Sequence, residues 1–200
     1  MFHKMALSIS EAMKQNNQNL SKEKAEEITY GLEILLYEIF LFGAAFLSAL
    51  PFGLFFNMLA AVTGYSIIRG FASGAHARTR TICCISYFIM LYISILIPVF
   101  LLKVYSFQLM MLLFCIDMIL LLKYAPGDTM ENPMTDEKKV KQKKVLSCLS
   151  LTAIFIVSFF LGDTIPLYAN SLLLAASFGC FMATPLMYRL LGCKRKLSTL

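Results

Sequence analysis

Two side chains in this 200-residue sequence have the types and neighbourhood for covalent chemistry: His76 and Cys83. A cysteine attacks as its thiolate and needs a base to take its proton, most often a histidine. Both sit in the stretch Arg69-Gly70-Phe71-Ala72-Ser73-Gly74-Ala75-His76-Ala77-Arg78-Thr79-Arg80-Thr81-Ile82-Cys83-Cys84. Nearby cations and a helix N-terminus favour a thiolate, and Cys83 would open a helix beside Arg78 and Arg80. The spacing sets a condition. In one continuous helix His76 and Cys83 would share a face but lie roughly 10 Å apart along the axis, beyond the about 3 Å that a base needs. A working pair therefore requires the backbone to leave the helix between them. Gly70, Ser73 and Gly74 permit that. Non-helical backbone at membrane depth is tolerated only when buried in protein or lining a watery cavity, so a catalytic pair predicts a cytoplasm-facing cavity here. The plain alternative is a polar loop with an incidental histidine and a packed cysteine.

A metal is not expected. His76, Cys83 and Cys84 supply too few ligands for zinc, which usually takes four, and no second histidine is near. His3 stands alone in a polar segment and reads as surface. The six cysteines show no CxxC pair; Cys115, Cys148 and Cys180, in or beside apolar runs, read as small hydrophobes. No cofactor motif is present.

The elements that must position this chemistry are membrane helices. Hydrophobic residues make up 58% of the chain and charged residues 15%, and mean hydropathy is +0.71. A soluble domain is about 45–50% apolar and about 25% charged. The excess excludes a soluble enzyme, a disordered chain and a disulfide-rich secreted domain. The net charge of +6 falls in blocks between apolar runs rather than along one face, which speaks against a nucleic-acid partner.

Spans of about 20 apolar residues are read at 34–50, 52–68, 83–102, 104–124, 145–161 and 167–191. The expected fold is all-α: a polytopic membrane protein of six transmembrane helices. Lys and Arg accumulate in cytoplasmic loops. With both termini inside, every Lys and Arg except Lys103 is cytoplasmic, which independently supports an even count of six. The expected organisation is an N-terminal interfacial helical segment (1–33), a membrane domain (34–191) containing the catalytic loop 69–84 and a basic loop 124–144, and a basic tail (192–200). Ser21 can cap a helix that runs on into the membrane, with Glu23 in its first turn. Met5, Ile9 and Met13 suit a segment lying on the membrane surface, or else a frayed polar tail. Neither an internal repeat nor a cleavable signal peptide is read.

Around His76 the sequence resembles the accessory gene regulator protein B (AgrB) family of Gram-positive membrane cysteine endopeptidases. The match rests on Arg69, Gly74, Ala75, His76, Ala77 and Cys83, and on Tyr124-Ala125-Pro126-Gly127-Asp128-Thr129 with Asn132-Pro133. Gly-Ala stands where many members show Gly-Gly before the histidine. Cys84 is a second thiol, turned about 100° from Cys83 on a helix, so only one of the two can face His76. The resemblance implies quorum sensing and virulence signalling through an autoinducing peptide. It implies a propeptide partner like AgrD, with an amphipathic leader, a central cysteine-containing segment and a charged tail, and it allows a homodimer. His76 and Cys83 would be the catalytic residues, forming an acyl-thioester on Cys83 that is released as a thiolactone. Arg69 would hold the peptide or a carboxylate, and Gly74 would supply backbone freedom. The location implied is the cell membrane.

Further candidates come from charge. Glu38 and Asp117 lie inside apolar runs, where ionisable groups face a cavity or a partner; either one, or Asp128, could orient His76 as the third group of a triad does. Lys138, Lys139, Lys141, Lys143 and Lys144 suit orientation and anionic lipid, or a docking surface for an acidic part of the substrate. The rival class is a small transporter of peptide or ion using Glu38 and Asp117.

Overall fold

The computed structural model describes residues 2–16, 21–77, 79–128 and 136–194. Among them are eight α-helices: α1 (Phe2–Asn16), α2 (Lys22–Ala49), α3 (Phe55–Ala72), α4 (Arg80–Phe100), α5 (Phe107–Tyr124), α6 (Glu137–Gly162), α7 (Pro166–Phe181) and α8 (Pro185–Leu190). The chain forms two units, Met1–Ser48 and Ala49–Leu200.

In the first unit, Ser21 caps α2 as expected, its Oγ accepting from the Lys24 amide at 3.3 Å. Ala6 and Ser10 of α1 are buried; the Oγ of Ser10 lies 2.7 Å from Thr29 Oγ1. His3 is on the surface as expected, but it does not stand alone: its Nδ1 meets Glu33 Oε2 of α2 at 2.9 Å. Met5, Ile9 and Met13 are exposed.

The second unit is built around α7. Its Ala169, Asn170, Leu173, Ala176 and Cys180 are all buried, the pattern of a helix enclosed by others. Small residues let α3 approach it closely. A Cβ on Gly64 would lie 2.2 Å from the Leu172 carbonyl, and one on Gly179 would lie 2.9 Å from Ile68. The core joins Ile68 and Ala72 of α3 to Met110 and Leu121 of α5, Leu151 and Ile154 of α6, and Leu173 of α7. Outward faces carry exposed Ile85, Ile89, Ile119, Leu122, Leu149 and Phe160, surface that suits lipid and not water.

Among the described residues, four helices are long and apolar enough to cross a membrane: α2 with the turn after it, α4, α5 and α6. This fits a membrane protein, but four such helices are not the expected six. The expected second span is α3, of 18 residues, which contains Asn57 and Arg69. The expected sixth span, 167–191, is not continuous: α7 is 16 residues long, about 24 Å, against a hydrocarbon core of about 30 Å. Pro185 causes the break. It has no amide hydrogen to bond the Phe181 carbonyl; the Thr184 hydroxyl takes that carbonyl instead at 2.7 Å, and a new helix starts with proline in its first turn.

Candidate active site

Between α3 and α4 the chain leaves the helix, as the His–Cys spacing requires. Helix α3 ends at Ala72, Ser73 has φ 54° and Gly74 φ 129°, and α4 restarts at Arg80. Thr79 caps α4, accepting from the Ile82 amide at 3.3 Å, which places Cys83 and Cys84 near its start. First-turn amides have no intrahelical acceptor and carry the positive end of the helix dipole. Both cysteines are half-buried. His76 lies in the unwound segment and is exposed. Arg78 lies outside the described residues.

Arg69, in the last turn of α3, holds the segment. Its Nη1 donates to the Ser73 carbonyl at 2.6 Å, its Nη2 to the Ala75 carbonyl at 3.2 Å, and Nη2 stands 3.4 Å from His76 Nε2. Ala75 in turn donates its amide to the Met182 carbonyl at 2.8 Å, at the break between α7 and α8. The segment after α5 closes the other side. Ser73 and Gly127 form a parallel bridge, and the Gly127 amide donates to the Ala72 carbonyl at 2.8 Å. The Ala125–Pro126 peptide is cis. A Cβ on Gly127 would lie 2.5 Å from Gly74 Cα, and one on Gly74 would lie 2.6 Å from both Arg69 Nη1 and the Met182 carbonyl. Both glycines are therefore required by space, Gly74 also by its φ.

The other candidates fall in different places. Asp128 is buried in the closing segment, where its carbonyl accepts from the Tyr188 hydroxyl at 2.8 Å. Asp117 is buried in α5 with Ser177 Oγ 2.5 Å from its Oδ2, so it joins α5 to α7. Glu38 is exposed on α2, in the first unit. Lys138, Lys139 and Lys141 are exposed and Lys144 half-buried, while the Lys143 Nζ reaches Ser73 Oγ at 3.5 Å. Thr129, Asn132 and Pro133 lie outside the described residues. A cavity of about 390 Å³ is lined by Val99, Lys103, Thr164, Ile165, Pro166, Leu167 and Tyr168; it does not include His76 or Cys83. No metal-holding cluster occurs among the described residues.

Sequence reasoning missed Met182 and Tyr188 as parts of the site, and read Ser73 only as a residue that lets the backbone leave the helix. Met182 and Tyr188 had no signal beyond Pro185, which marks where the last helix must break.

His76 thus stands exposed on the unwound stretch and Cys83 in the first turn of the helix that follows it. The family described as Accessory gene regulator B matches residues 6–187. The chain is 27% identical over 185 residues to a putative AgrB-like protein of Clostridium acetobutylicum, covering 90% of this chain and 85% of that one. It is 30% identical over 148 residues to accessory gene regulator protein B of Staphylococcus carnosus, covering 74% and 75%. It is 27% identical over 161 residues to the protein of that name from Staphylococcus aureus, covering 80% and 82%. No solved structure matches.

Proposed function

The chain belongs to the accessory gene regulator B family, and on that premise we propose that it is a membrane cysteine endopeptidase that trims and cyclises a quorum-sensing propeptide. The observation that supports this reading is the break between α3 and α4, which the spacing of His76 and Cys83 requires of a working pair, with Cys83 in the first turn of α4.

His76 takes the proton of Cys83. The thiolate attacks the carbonyl that joins the central segment of the propeptide to its tail. Protonated His76 gives its proton to the leaving amine as the bond to the tail breaks, and an acyl-thioester on Cys83 remains. The propeptide's own cysteine thiol then attacks this thioester, forming the ring thiolactone and returning the thiol of Cys83. The second exchange trades one thioester for another and is nearly balanced. The first trades an amide for a thioester and runs uphill, so departure of the tail or exclusion of water must carry it forward. Arg69 keeps the loop in shape, and Gly74 and Gly127 let the two segments touch.

In the membrane we place both termini in the cytoplasm, with α3 and α7 completing six crossings beside the four longer helices. An AgrD-like propeptide and the bilayer are the partners, and the exposed Lys138, Lys139 and Lys141 suit anionic lipid. Purified Cys83→Ala, Cys84→Ala and His76→Ala variants with propeptide test the chemistry. Acyl-enzyme trapped on Cys83 supports the assignment; full processing by Cys83→Ala overturns it.

A further inference from the structure

The lysine run at the start of α6 does not present one surface. The buried residues Ser147, Leu151, Ile154, Ser158 and Gly162 recur every three or four positions, which marks the inward stripe of the helix. Extended towards the N-terminus, that stripe passes through Lys143 and Val140, both half-buried, and leaves Lys138, Lys139 and Lys141 exposed. Among the described residues, Lys143 is the one lysine of the run whose ammonium reaches the catalytic loop, 3.5 Å from Ser73 Oγ.

Ser73 thereby gathers two cations from two elements, since Arg69 of α3 donates to its carbonyl at 2.6 Å. Neither Arg69 nor Lys143 forms an ion pair among the described residues. The guanidinium is spent on two carbonyls and a histidine edge. The ammonium has three donors and makes one contact at the outer limit of hydrogen bonding. Two cations at one serine, neither in an ion pair among the described residues and one with donors to spare, suit a charge-assisted bond to an anion.

We propose that Lys143, backed by Arg69, binds a carboxylate of the substrate just beyond the bond that is cut, on the side of the departing tail. This rests on the peptidase reading above. The side follows from Arg69, which touches His76: the group that protonates the leaving amine stands beside the tail, so its neighbours line the tail's path. Lys143 is thus a specificity residue, separate from the exposed lysines that suit lipid headgroups.

The test uses the full-length protein in phosphatidylcholine vesicles. Three synthetic propeptides carry acidic, neutral amide or basic side chains just past the cut. The wild type is expected to show a KM about tenfold lower for the acidic tail than for the neutral one, the worth of one charge-assisted hydrogen bond. Lys143→Gln should erase that difference, and Lys143→Glu should invert it, favouring the basic tail, a gain that only a folded enzyme can show. Lys103→Gln should keep the wild-type preference. An undiminished acidic preference in Lys143→Gln overturns the proposal. So does an effect of Lys143→Gln that appears only when phosphatidylglycerol is added to the vesicles, which would assign Lys143 to headgroups. Processing of no peptide by the wild type would overturn the peptidase reading and this proposal with it.

Discussion

Arg69 Nη2 stands 3.4 Å from His76 Nε2 while the same guanidinium holds the Ser73 and Ala75 carbonyls. Lysine is a point donor and cannot span three partners. Arg69→Lys is therefore expected to insert normally but to process propeptide at least about tenfold more slowly, since one charge-assisted hydrogen bond is worth about 1.5–3 kcal/mol. Initial rates in vesicles, beside helicity by circular dichroism, check this; a rate equal to wild type would remove Arg69 from the site.

Gly74 and Gly127 lie far apart in sequence yet touch through their backbones. Gly127→Ala should push the closing segment away from the loop and lower processing even though residue 127 carries no chemistry. Gly74→Ala should do more, because its Cβ meets both Arg69 and the Met182 carbonyl at a positive φ. Side-by-side rates order the two variants, and Gly127→Ala at full activity would show that the closing segment is dispensable.

About 29 Å along α6 from Lys143, Gly162 packs on Tyr105, whose ring a Cβ would approach to 2.5 Å. Gly162→Ala is expected to cost about 1–3 kcal/mol by overpacking, read as a lower thermal midpoint. Tyr105 adds a pH dependence. Burial first, and then the Asp163 carboxylate, push its phenol above the usual tyrosine range. The stabilisation from its protonated form is present below the unfolded value of about 10 and is lost as pH rises through the higher folded value. Tyr105→Phe should make the alkaline fall in stability shallower. An unchanged profile would mean that other groups set it.

Asp117 bonds Ser177 across α5 and α7. Such interhelical bonds are worth about 0.6–1.7 kcal/mol in a membrane. Asp117→Asn, which keeps a hydrogen-bonding partner for the hydroxyl, should hold most of the stability, and Asp117→Ala should lose about that amount. Unfolding of both variants in detergent and urea compares them. Equal loss in both would show that the carboxyl does more than join helices.

Lys103 follows α4 and precedes α5. With both termini inside, a cysteine placed there should react with an impermeant thiol reagent from outside intact cells. Labelling only after lysis would reverse the orientation.

Much of this was legible locally. Hydropathy located α2, α4, α5 and α6 to within a few residues at most ends, because burial in lipid depends on nearby composition. Ser21 announced the start of α2, and His76 with Cys83 demanded a break that the structure contains at residues 73–79. The sixth span was misread because apolar residues continue past Pro185, and hydropathy does not register a missing amide. What only the tertiary structure decided is which groups hold that break: Met182 and Tyr188 from the end of the chain, Gly127 from the segment after α5, and Lys143 from α6. The physical reason is range. Helix formation and partition into lipid are settled by neighbours in sequence, whereas backbone approach at two glycines and the meeting of two cations at one serine exist only once distant helices have packed.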